Sequence, residues 1–148
     1  MISISQFLDE KGRQVYSVRQ DEPVLKALEL MAEKDCGALV VLDDAGGLAG
    51  VISERDYARK VILHRKASID TPVSDIMTAD VVTVNESHTL DQCLAIMGQQ
   101  NIRHLPVVER RKVVGVLGIG ELVTLKMQEK EHQIQNLTTY INGNLAYR

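Results

Sequence analysis

Residues 15–43, VYSVRQDEPVLKALELMAEKDCGALVVLD, lie without a gap over residues 81–109, VVTVNESHTLDQCLAIMGQQNIRHLPVVE, at an offset of 66. Six positions are identical: Val15/Val81, Val18/Val84, Leu28/Leu94, Met31/Met97, Leu39/Leu105 and Val41/Val107. Apolar exchanges such as Val24/Leu90, Ala27/Cys93 and Leu30/Ile96 keep the same register, so the likeness follows the positions a core would use. A one-residue difference in a turn then moves the offset to 65, which aligns Gly50-Val51-Ile52 with Gly115-Val116-Leu117 and Asp56 with Glu121. The chain is two copies of one unit.

Each copy predicts strand, helix, strand, turn, strand, helix. Tyr16-Ser17-Val18 and Val82-Thr83-Val84 are short β-branched runs. Val24, Leu28 and Met31, like Leu90, Leu94 and Met97, recur at the spacing of an amphipathic helix, and Pro23 suits a helix start. Ala38–Leu42 and His104–Val108 have strand length. Gly46-Gly47 and Arg110-Arg111-Lys112 turn them toward Leu48–Ile52 and Val113–Leu117. Further helices are expected from about Glu54 and Gly120. The expected organisation is an N-terminal helical segment over 1–12 through Ile4, Phe7 and Leu8, a first unit over 13–66, a linker over 67–80, a second unit over 81–127 and a helical extension over 128–148. Ile134, Leu137 and Ile141 make a late apolar stripe, either a partner contact or part of a frayed polar tail.

The composition, 45% hydrophobic and 25% charged over 148 residues, is that of one folded globular domain. A formal net charge of −3 argues against a nucleic-acid surface, and no apolar run approaches a membrane span, so neither partner is expected. The first ten residues lack the basic start of a signal peptide, and the cytoplasm is the expected compartment. Cys36 and Cys93 have no C-x-x-C spacing and no neighbouring His, which excludes dithiol and metal readings and leaves both as expected core residues.

Three signatures then resemble the CBS domain family, named for cystathionine β-synthase: Gly50-Val51-Ile52-Ser53-Glu54-Arg55-Asp56, Val73-Ser74-Asp75-Ile76-Met77-Thr78 and Ile102-Arg103-His104-Leu105-Pro106-Val107. With the repeat they cover roughly residues 13 to 127. The resemblance implies a mixed α/β (α+β) fold of two pseudo-symmetric β-α-β-β-α units packed as one stand-alone pair. It also implies binding of AMP, ADP, ATP, NAD or S-adenosylmethionine between the units, homodimerisation, and regulation of an unidentified protein.

Ser53-Glu54-Arg55-Asp56 has two physical readings. A hydroxyl followed three residues later by a carboxylate is a capping-box arrangement that needs no ligand. The same pair can receive ribose hydroxyls while a helix start and cations receive phosphate. The resemblance carries the ribose role to Ser53 and Asp56. Arg55, Arg103 and His104 are the candidate phosphate donors, since guanidinium matches phosphate oxygens and imidazole adds a donor that can gain charge. Ile76, Met77, Val82 and Ile102 are candidates to line the adenine, each with core packing as the alternative. The second copy has Gly118 for Ser53 and Glu121 for Asp56, and the first copy faces that site with Gly37-Ala38 in place of Arg103-His104, so one strong site and one weak or empty site are expected.

Gly115-Val116-Leu117-Gly118-Ile119-Gly120 is not a dinucleotide fingerprint, because the third required glycine falls on Val123. Arg55, Arg59, Lys60, Arg65 and Lys66 fit a solvated helix face, with Arg59 one turn beyond Arg55 as a possible extension of the phosphate site. No Ser or Cys has an activating neighbour in sequence, so an enzyme is not expected, and no metal is called for. An energy or redox sensor binding an adenine nucleotide, AMP or NAD first, is the leading reading. A ligand-independent dimerisation or interaction module is the alternative.

Overall fold

The computed structural model describes residues 2–146, and the two units of the repeat appear as two sheet-and-helix bodies. In the first, β1 (Ser17–Arg19) pairs in parallel with β2 (Ala38–Leu42), which pairs antiparallel with β3 (Leu48–Ser53). In the second, β4 (His104–Glu109) and β5 (Lys112–Gly118) form the matching hairpin. Helix α2 (Val24–Lys34) links β1 to β2, and its repeat partner α4 (Leu90–Gln100) precedes β4. Both helices end on a left-handed residue at the same repeat position, Asp35 and Asn101.

The expected strand Val82-Thr83-Val84 does not form. Only Val84 keeps a parallel bridge, to Val107. The first unit holds its corresponding strand through Val40 N donating to the Tyr16 carbonyl at 3.2 Å. In the repeat Val40 becomes Pro106, which has no N–H to donate, and the ladder stops at the bonds that flank it.

Each unit has its own core. Val18, Val24, Ala27, Met31, Leu39, Val41 and Ile52 fill the first; Leu90, Cys93, Met97, Leu105, Val107, Leu117 and Leu122 fill the second. Helix α1 (Ile4–Lys11), capped by reciprocal Ser3 and Gln6 bonds, buries Ile4, Phe7 and Leu8 in the second core although the chain continues into the first unit. Residues 73–75 form a 3₁₀ turn that buries Val73 and Ile76 in the first core. The two edges are therefore covered differently. At Gly50 a Cβ would fall 2.5 Å from the Thr78 carbonyl oxygen, whereas at Gly115, its repeat partner, it would fall 2.7 Å from the Leu8 side chain.

Helix α3 (Glu54–Tyr57) widens into π-helical turns over Ala58–Ile62, and α5 (Ile119–Ala146) runs unbroken past the second unit. Cys93 is buried, which pushes its thiol up to about 11. Cys36 departs from the expected core position: it is half-buried, between the first core and a cleft.

Candidate functional site

A cleft of about 530 Å³ lies between the units, a size that suits a small ligand. The first unit contributes the end of β3 and the start of α3. Ile52 points into the core, so strand alternation turns Val51 and Ser53 to the cleft side. Ser53 caps α3, with Asp56 N donating to its Oγ at 3.2 Å, while Ser53 N and Ser53 Oγ both donate to Asp56 Oδ2 at 3.0 Å. The other oxygen, Asp56 Oδ1, stands 3.1 Å from Lys60 Nζ, which also donates to the Ile76 carbonyl at 2.9 Å. The cap and the cleft acid are thus one device.

The second unit contributes Val82 and the entry to β4, where Asn101, Ile102, Arg103 and His104 face the same space. Two matching bonds set the geometry: Glu54 N donates to the Gly37 carbonyl, and Ile119 N to the Arg103 carbonyl, at 3.0 and 2.9 Å. Among the described residues neither Arg55 nor Arg103 is in an ion pair, which leaves two guanidinium groups for an anion. Burial lowers the His104 pKa, Glu121 opposes that shift and Arg103 adds to it, so the ring is neutral near pH 7.

Of the residues singled out from sequence, Ser53, Arg55, Asp56, Val82, Ile102, Arg103 and His104 line this one cleft. Ile76 and Met77 do not: Ile76 is fully buried in the first core and Met77 packs behind it. The 3₁₀ turn and the paired bonds between Val51 and Thr78 point Ile76 inward and bring Thr78 to the cleft instead. Sequence reasoning missed Val51, Thr78, Asp80, Asn101 and Lys60. Alternation along β3 carried the signal for Val51, and the four-residue step from Asp56 carried that for Lys60, assigned to a solvated face.

A second, smaller cleft of about 330 Å³ uses the repeat positions in reverse, with Tyr16, Cys36, Gly37 and Ala38 facing Val116, Gly118 and Glu121. His104 and Gly37 belong to both clefts. His104 sits across the β4–β5 ladder from Gly118, as Ala38 sits across from Ser53.

Two repeated sheet-and-helix units, the second without its first strand, with a cleft at their junction define a tandem-repeat module. The chain belongs to the CBS domain family, whose model matches residues 11–63 and 73–127. It is 35% identical over 127 residues to the mitochondrial CBS domain-containing protein CBSX3 of Arabidopsis thaliana, across 83% of this chain and 62% of that one. A solved structure of a protein with CBS domains from Burkholderia ambifaria MC40-6 is 42% identical, with a TM-score of 0.81 over 86% of this chain and 95% of that one. The CBS domain pair of protein MJ0100, in complex with 5′-methylthioadenosine and S-adenosyl-L-methionine, is 22% identical and shares the fold with a TM-score of 0.77 over 87% of this chain and 98% of that one. Among the described residues no helix is long and apolar enough to cross a membrane, and no cluster of His, Cys, Asp and Glu could hold a metal ion.

Proposed function

We propose that this chain is a non-catalytic regulatory module that binds an adenine nucleotide, AMP or NAD first and ADP or ATP next, in the larger cleft, and passes its occupancy to a partner protein. The observation that carries the reading is the meeting of Ser53 and Asp56 from one unit with Arg103 and His104 from the other around one space. The acid and hydroxyl receive a ribose, the guanidinium groups receive phosphate, and Val51, Val82 and Ile102 offer an apolar wall to the base. The adenosine-containing ligands of the MJ0100 pair support the ligand class.

Thermal denaturation with each nucleotide tests the reading. A ligand at about 100 times its Kd stabilises the fold by roughly 2.7 kcal/mol, a rise on the order of 5–10 °C for this size. Asp56→Ala abolishes the rise, and no shift with AMP, ADP, ATP, NAD or S-adenosylmethionine overturns the proposal.

A second reading, a ligand-independent dimerisation module, draws on α5. Val123, Met127, Ile134, Leu137 and Ile141 are all exposed and step by four, seven, three and four residues, the spacing of a coiled-coil seam. A homodimer paired along this seam is compatible with either reading. They part at Asp56→Ala, which under the second costs only a lost cap of about 1 kcal/mol and changes no ligand response.

A further inference from the structure

The smaller cleft repeats the design of the larger one, but its acid is already engaged. Lys11, the last residue of α1, donates through Nζ to Glu121 Oε2 at 2.7 Å and to the Val116 carbonyl at 2.8 Å. Glu121 and Val116 are the repeat partners of Asp56 and Val51. In the first unit the Val51 carbonyl receives the Thr78 N–H at 2.9 Å, so the Lys11 ammonium does for β5 what a linker amide does for β3. Its position is built in. Phe7 and Leu8 anchor α1 in the second core, and the ammonium stands 5.6 Å from the centre of the Phe7 ring.

The larger cleft differs in what shares the acid. Lys60 takes Asp56 Oδ1, while Oδ2 is held by the Ser53 cap, whose hydroxyl can rotate and hand the oxygen to a ligand. Gly118 offers no such rotor. At Glu121 a charged donor tethered to the same chain holds Oε2 and, among the described residues, only Oε1 has no partner, so a vicinal diol that needs both oxygens must compete with the lysine.

We propose that Lys11 determines which cleft admits ligand: it acts as a tethered cation on Glu121, closes the smaller cleft to ribose-bearing molecules and leaves one binding site per chain. This rests on the nucleotide reading of the larger cleft. It also assigns α1 a role that the repeat did not suggest, since only a 3₁₀ turn over Val73–Asp75 stands in the corresponding place before the second unit.

The test rebuilds the missing hydroxyl with and without the lysine. A Cβ at Gly118 would lie 3.4 Å from Glu121 Oε1, so Gly118→Ser fits and places a hydroxyl beside the acid. Lys11→Met keeps the stem on Phe7 and removes the charge. AMP is titrated calorimetrically into wild type, Gly118→Ser and Gly118→Ser/Lys11→Met, each repeated with Asp56→Ala to silence the larger cleft. Wild type binds one equivalent, and the double variant gains a second, about tenfold tighter than any second site in Gly118→Ser alone. Two equivalents in wild type, equal second-site affinity with and without Lys11, or no second equivalent in a folded double variant each overturn the proposal. If wild type binds no AMP, the nucleotide reading falls by itself. Acetic anhydride labelling then tests the closure without ligand: Lys11 reacts several-fold more slowly than the exposed Lys130, Glu121→Gln removes the difference, and equal rates in wild type overturn it.

Discussion

His104 stands at the junction of the two clefts, and its environment makes the module sensitive to pH. Burial is the largest influence and disfavours imidazolium, the Glu121 carboxylate opposes it, and Arg103 reinforces it. The folded-state pKa therefore lies below the ordinary histidine value of 6.5, and the unfolded chain takes up a proton first as pH falls. His104 makes no difference to stability well above that value; stability is lost as pH drops through it toward the folded-state pKa. Melting measured from pH 7.5 to 5.5 should fall more steeply in wild type than in His104→Gln. A nucleotide phosphate beside the ring favours imidazolium, so saturating AMP should flatten the wild-type curve. Parallel curves for wild type and His104→Gln would show that the ring titrates as it does in the unfolded chain.

At the scale of elements, the repeat made most of the architecture legible, because helices α2 and α4 and strands β2 to β5 rest on local periodicity that appears twice. What escaped depended on distant partners. The loss of the expected Val82–Val84 strand turns on Pro106, twenty-two residues beyond Val84, and the engagement of Lys11 with Glu121 spans 110 residues. Ile76 and Met77 read equally well from sequence as an apolar wall for adenine or as core, and a 3₁₀ turn faces them to the core. Turn chemistry also differs between the copies. Gly46 takes positive φ in the first hairpin, with Asp43 Oδ1 accepting the Ala45 and Gly47 amides, whereas Arg110 and Arg111 adopt φ of 51° and 67° in the second. A two-residue hairpin needs left-handed backbone at both positions, which suits glycine or asparagine and strains a long side chain. Arg111→Gly should stabilise the fold by about 1 kcal/mol, seen as a rise of roughly 2–4 °C in Tm, without changing ligand affinity. An unchanged or lower Tm would mean that the arginine turn carries no strain.

At the scale of the whole molecule, two cores are joined by few covalent crossings. The chain leaves α1 on the second unit, enters the first at β1, and returns through the linker after Thr78. A ligand held by Ser53 and Asp56 on one side and by Arg103 and His104 on the other adds a tie between bodies that otherwise bury their apolar residues separately. Any opening that pulls either unit away from the cleft must then release the ligand. At about 100 times Kd this raises the free energy of such an opening by roughly 2.7 kcal/mol, a slowing of about a hundredfold in exchange of the amides it exposes. Hydrogen exchange with saturating AMP should protect Leu39–Val41 and Ile52 in the first unit together with Leu105, Val107 and Leu117 in the second, in equal measure. Protection confined to the first unit would mean that the ribose contacts alone hold the nucleotide. The second unit would then be a passive wall, with no means of registering occupancy for a partner.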